Sequence, residues 1–254
     1  MGNRQPPNTS GSISVHYTQP NRCDKLVLKN NTSWWATNLW DTQTGAGKVT
    51  VSFWVFGDGA FKVKQYPRYF AWGGYHDQPE ILLYNGDAID DVPTMYLQLC
   101  YGGSNTKRQF RFYANENNLS PWAWNHVAIT WQSGPTENDA YDNPAKLYLN
   151  GKEYSPTGTT LVDGSSDAFS KPNYGFYLGS TRTSDSNSSN NDSMGTAMFR
   201  DLGIWNDRLT SAEIAGIYNN GTWRNAFDYV ASKQSNCLGY YELTGAVNCA
   251  RPFS

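Results

Sequence analysis

The chain has 254 residues, a formal charge of -2, and 15% aromatic residues in an otherwise polar composition. A near-neutral chain lacks the basic face that nucleic acid or an anionic membrane surface requires, and no apolar run approaches the roughly 18 residues of a membrane span. Met1 to Ser12 carries no apolar signal core, and Pro6 stands where a myristoylation signal favours Ser or Thr, so neither membrane insertion nor signal-directed export is expected.

Residues 1–12 are rich in Pro, Asn and Ser and have no hydrophobic period. They are expected as a flexible arm ahead of a single domain over 13–254. Ile13, Val15 and Tyr17 alternate as an edge strand, and Lys25 to Leu28 forms a short strand before an N-N-T-S turn. Trp34, Trp35 and Trp40 follow in a segment punctuated by Asn38, Asp41, Gly45 and Gly47. Val49, Val51, Phe53 and Val55 then alternate as a core strand. Beyond Gly57-Asp58-Gly59, Tyr69 to Gly74 reads as an aromatic strand. Ile81–Tyr84, Met95–Tyr101 and Gln109–Tyr113 are further strands, separated by an acidic N-G-D-A-I-D-D loop and a basic S-N-T-K-R loop.

The stretch from Trp122 to Lys152 organises the chain. His126, Ala128 and Thr130 alternate with Val127, Ile129 and Trp131, and Lys146, Tyr148 and Asn150 alternate with Leu147 and Leu149. Asn150-Gly151 supplies the two positive-φ corners of a tight type I′ turn. Gly158–Lys171 reads as a Gly/Ser/Asp loop, Gly175–Ser180 as a strand, Ser184–Ser193 as a low-complexity surface loop, and Met198–Trp205 as a strand. One short helix is predicted next, with Thr210 as N-cap, Glu213 as its capping-box partner and Asn219-Asn220-Gly221 as its stop. Leu238–Leu243 closes the series as a strand. The whole is an all-β antiparallel sandwich.

Cys23, Cys100, Cys237 and Cys249 are too scattered for a disulfide scaffold, and no C-x-x-C suggests zinc. Cys237 and Cys249 bracket the last strand and can pair in an oxidising setting; isolated buried thiols are the alternative.

Taken together, V-T-V-S-F-W-V, W-N-H-V-A-I-T-W, K-L-Y-L-N-G-K, F-Y-L-G-S and the run from Phe199 to Gly221 resemble the laminin-G-like and pentraxin-like branch of the concanavalin A-like lectin/glucanase superfamily. Trp124-Asn125-His126-Val127-Ala128 is similar to that family's W-H-H-V-A strand, Leu149-Asn150-Gly151 to its Y-V-D-G hairpin, and Ile204 to Gly221 to its last strand and short helix. The resemblance covers about residues 24 to 245 and implies a two-sheet jelly roll with loops gathered at the rim.

Retaining glycosidases of this superfamily need paired carboxylates on one strand face. None of the six Glu forms such a pair on a predicted strand; Glu137-Asn138-Asp139 has the spacing but lies in a turn-rich loop. His16, His76 and His126 are far apart, and His126 is expected to pack at the sandwich edge. Calcium takes clustered carboxylate and amide oxygens. Asp87, Asp90 and Asp91 form one acidic loop, and Asp139, Asp142 and Asn143 another, inside a run that resembles the legume-lectin calcium loop without its later Asp and His. For glycans, Trp34, Trp35, Trp40, Tyr66, Tyr69, Trp72, Tyr75, Trp122 and Trp223 lie near turn signals, where an aromatic face can stack on a sugar. The expected function is that of a non-catalytic structural and adhesion module. The resemblance implies a virion setting, with other virion proteins and surface glycans as partners and a homo-oligomer as one form. A glycosidase of the same fold and a ligand-free capsid cement are the alternatives.

Overall fold

A computed structural model describes residues 12–16, 25–29, 47–57, 68–73, 80–89, 92–100, 107–114, 119–133, 145–162, 176–179 and 197–241. Fourteen strands run through them: β1 (Ser12–His16), β2 (Lys25–Lys29), β3 (Gly47–Gly57), β4 (Arg68–Gly73), β5 (Glu80–Ile89), β6 (Val92–Cys100) and β7 (Lys107–Phe112), then β8 (Trp124–Ser133), β9 (Lys146–Leu149), β10 (Lys152–Tyr154), β11 (Gly158–Val162), β12 (Phe176–Leu178), β13 (Ala197–Trp205) and β14 (Cys237–Tyr241). They pair antiparallel into an eight-stranded sheet, β1-β2-β12-β4-β5-β6-β7-β11, and a six-stranded sheet, β10-β9-β8-β3-β13-β14. Period-2 alternation turns Val49, Val51, Phe53, Val127, Ile129 and Trp131 of the small sheet onto Phe70, Ile81, Leu83, Leu97, Leu99 and Phe110 of the large one, and all are buried in one core. Phe53 and Phe70 meet edge to face across the gap, their centroids 6.5 Å apart.

The alternating segments became strands, with two differences. The N-G-D-A-I run, expected as a loop, continues β5 to Ile89, because the hairpin turns only between Ile89 and Val92. Gly158–Val162, expected to open a loop, is edge strand β11; Thr159 to Val162 are β-favouring residues that pair with β7.

Helix α1 (Ser211–Tyr218) begins at Thr210, whose hydroxyl accepts from the Glu213 backbone while the Glu213 side chain reaches back to the Thr210 N–H, and ends at Asn219 with φ 46°. The short helix expected near the C-terminus is α1, and a one-turn helix α2 (Ala226–Tyr229) follows it. The pair covers the outer face of the six-stranded sheet: Ile214 and Ile217 of α1 and Ala226 of α2 pack on Ala128, Tyr148, Trp205 and Tyr240. No helix among the described residues is long and apolar enough to cross a membrane.

Register sets Gly57, Trp124, Ala197 and the Asn150–Gly151 turn at one end of the six-stranded sheet, and Arg68, Phe112, Leu178 and the Ile89–Val92 turn at one end of the eight-stranded sheet. The rim at the first of these ends positions the candidate site.

Candidate binding site

Trp122, in the turn entering β8, is 69% exposed, the largest exposure among the large apolar side chains described. Its φ is 57°, left-handed backbone that a bulky side chain disfavours. Asn125 holds the turn in place. Its Oδ1 accepts from the Ser120 N–H at 2.8 Å, and its Nδ2 donates to the Ser120 carbonyl at 2.8 Å and the Ala123 carbonyl at 3.0 Å. Asn150, at φ 50° in the hairpin turn, donates to Asn125 Oδ1 at 3.0 Å and accepts from the His126 N–H at 2.9 Å. Two asparagines from neighbouring strands therefore give Trp122 a rigid mount.

Other open aromatics share this end. Tyr113, just past β7, is 48% exposed, and Trp124 tilts against Phe56 with centroids 5.7 Å apart. Trp223, 39% exposed, carries the Arg200 guanidinium 3.9 Å over its ring, and Arg200 pairs with Trp54 three residues in from the Gly57 end of β3. Fixed, open aromatic faces suit the C–H face of a pyranose, and a rigid mount lowers the ordering cost of binding.

Tyr69 and Trp72, expected among the stacking aromatics, are corrections. They are 0% and 2% exposed, because β4 is a central strand and the pairing with β5 and β12 turns them into the core. Trp34, Trp35, Trp40, Tyr66 and Tyr75 lie outside the described residues. So do Asp90, Asp91, Asp139 and Asp142, while Asp87 lies on the β5 backbone. The strand ends anchoring the two acidic runs, Ile89/Val92 and Ser133/Lys146, sit at opposite ends of the sandwich. Among the described residues no three His, Cys, Asp or Glu are placed to hold a metal.

His126, expected at the sandwich edge, is fully buried between β8 and α1 instead. Its Nε2 lies 2.8 Å from Ser52 Oγ, and the Trp54 and Tyr218 rings flank it at 5.3 and 6.3 Å. Burial pushes its pKa down to about 3, so the imidazole is a neutral packing group. Glu153 accepts from Lys146 at 2.6 Å and from the Tyr148 and Ser211 hydroxyls, and the Lys146 bond leads the effects that hold its carboxyl below the usual range. It ties the β9–β10 hairpin to the start of α1. Cys237 is a free thiol that burial pushes up to about 12, and Cys249 lies outside the described residues.

The chain belongs to the concanavalin A-like lectin/glucanases superfamily, whose laminin G model matches residues 29–215. No curated protein sequence matches it. Similar solved structures include a native heptameric SAP-like pentraxin from Limulus polyphemus, at 18% identity over 81% of this chain and 80% of that one with a TM-score of 0.45. The binding domain of botulinum neurotoxin serotype D is similar at 15% identity over 83% and 46% with a TM-score of 0.48. The mouse laminin alpha1 chain, domains LG4-5, is similar at 12% identity over 81% and 48% with a TM-score of 0.44. The chain thus spans about half the length of the last two.

Proposed function

We propose that this protein is a non-catalytic carbohydrate-recognition module that takes a neutral sugar ring on Trp122. The observation that carries this reading is a tryptophan 69% open to solvent on left-handed backbone, held by four hydrogen bonds to one buried asparagine side chain. Backbone strain of about 1–3 kcal/mol persists where surrounding structure fixes it, and it concentrates at ligand contacts. A packing role does not account for it, since so much of the ring faces water.

A virion setting is part of the same proposal and rests on the family resemblance. Among the described residues strand β1 pairs with β2 alone, and that outer ladder edge is where a neighbouring shell protein or a second copy would dock. Calcium held by the acidic run of Asp87, Asp90 and Asp91 or by that of Asp139 and Asp142 is its remaining element. A glycan array on the purified protein, run with calcium and again with chelator, tests all but the setting. Binding that persists in chelator removes calcium from the reading, and silence in both leaves a structural shell protein. Release of reducing sugar from β-glucans or algal galactans would establish the glycosidase instead.

A further inference from the structure

The outer face of the eight-stranded sheet carries a row of residues that single-strand reading does not reveal. Register places Arg68 beside Tyr84, Tyr84 beside Tyr96, Tyr96 beside Arg111 and Arg111 beside Gly158, across five strands. The row is stacked: the Arg68 guanidinium lies 4.5 Å over the Tyr84 ring, and Tyr84 and Tyr96 lie face to face with centroids 5.4 Å apart and planes 15° apart. Beneath it Gln109 donates to Tyr84 Oη at 2.8 Å and to Gln98 Oε1 at 2.7 Å, which fixes the ring positions.

Arg111 closes the row without an anion. Its Nε is buried and takes no hydrogen bond, and no carboxylate pairs with it among the described residues. A guanidinium stays charged at any accessible pH, so a half-buried one with an unmatched N–H carries a desolvation cost that an oxyanion in its plane would offset. Gly158 makes room for it, because a Cβ there would sit 2.5 Å from Arg111 Nη2. The arrangement is therefore a half-buried fork with one unmatched N–H, beside the partly buried ring of Tyr96.

We propose that this face is a second site, for an acidic saccharide: Arg111 takes a carboxylate or sulfate ester bidentately, and Tyr96 takes the adjoining ring. The site shares only its ligand class with the Trp122 reading and uses none of that turn's residues. Binding of the full chain to dextran, dextran sulfate and polygalacturonate is the test, and the two acidic polymers separate sulfate from carboxylate. The expected result is tighter binding to at least one acidic polymer than to dextran, weakened about tenfold or more by Arg111→Gln and also by Arg111→Lys, which keeps the charge but loses the fork. Gly158→Ala, which keeps every charge and crowds the guanidinium, should weaken it severalfold. Acidic polymers bound no better than dextran would overturn the proposal. So would Arg111→Lys and Gly158→Ala at wild-type affinity in protein of unchanged melting temperature, which would mean unspecific charge attraction. If the array glycan loses Trp122-dependent binding while Arg111-dependent binding stands, only the rim reading falls.

Discussion

Trp122 and Asn125 divide a single task between them: one residue is in unfavourable backbone, the other keeps it there. Trp122→Gly should therefore leave stability unchanged or raise it by up to about 1 kcal/mol, since glycine adopts positive φ without strain. The same variant should lose glycan binding, and a urea titration beside a binding titration reads both. Asn125→Ala removes four hydrogen bonds and should cost about 3 kcal/mol, at roughly 1 kcal/mol each. His126 gives a pH signature. Its folded pKa lies near 3 and its ordinary value is 6.5, so below pH 6.5 the unfolded chain takes up a proton that the folded protein refuses. Stability from this group is complete above 6.5 and falls as pH drops toward 3, by about 1.4 kcal/mol per unit while only the unfolded state is protonated. His126→Gln should flatten that part of the profile, measured as urea midpoints from pH 7.5 to 4.5.

At the scale of elements, what the sequence showed and what it hid follow one rule. Val49 to Val55 and His126 to Trp131 were legible because alternation is local and the core face is uniformly apolar. The Thr210–Glu213 box and the Asn150–Gly151 turn were legible because their chemistry spans four residues or fewer. The Arg68–Tyr84–Tyr96–Arg111 row was not, since its members are 12 or more residues apart and meet only through register. His126 was misplaced for a related reason: alternation put it on the outer face of β8, and only the return of α1 over that face buries it. Tyr69 and Trp72 were misread because nearness to turn signals says little about a central strand. Gly151 ties two of these elements together. Its φ is 76°, and a Cβ there would lie 2.6 Å from the Tyr218 ring of α1. Gly151→Ala should cost about 2 kcal/mol by combining left-handed strain with helix displacement. Thr210→Ala, which loses only the cap, should cost about 1 kcal/mol. Thermal unfolding of the two variants checks the order.

For the whole molecule, the two sheets do different work. The six-stranded sheet is covered outside by α1 and α2 and serves as the rigid wall, with Glu153 fastening the hairpin edge to the helix. One end carries Trp122 and Tyr113, and the outer face of the eight-stranded sheet carries the stacked Tyr84 and Tyr96 rings and the unmatched Arg111 Nε. The two proposed sites, acting on one glycan, would gain by linkage what neither contact supplies alone.

The most direct measurement is the affinity of the strongest array glycan for wild type, Trp122→Ala and Trp122→Phe. Truncation of a tryptophan that dominates a contact costs about 2 kcal/mol, close to thirtyfold in Kd. The account predicts a loss of that size for Trp122→Ala, partial rescue by Trp122→Phe and unaltered melting temperatures. Wild-type affinity in Trp122→Ala would contradict it.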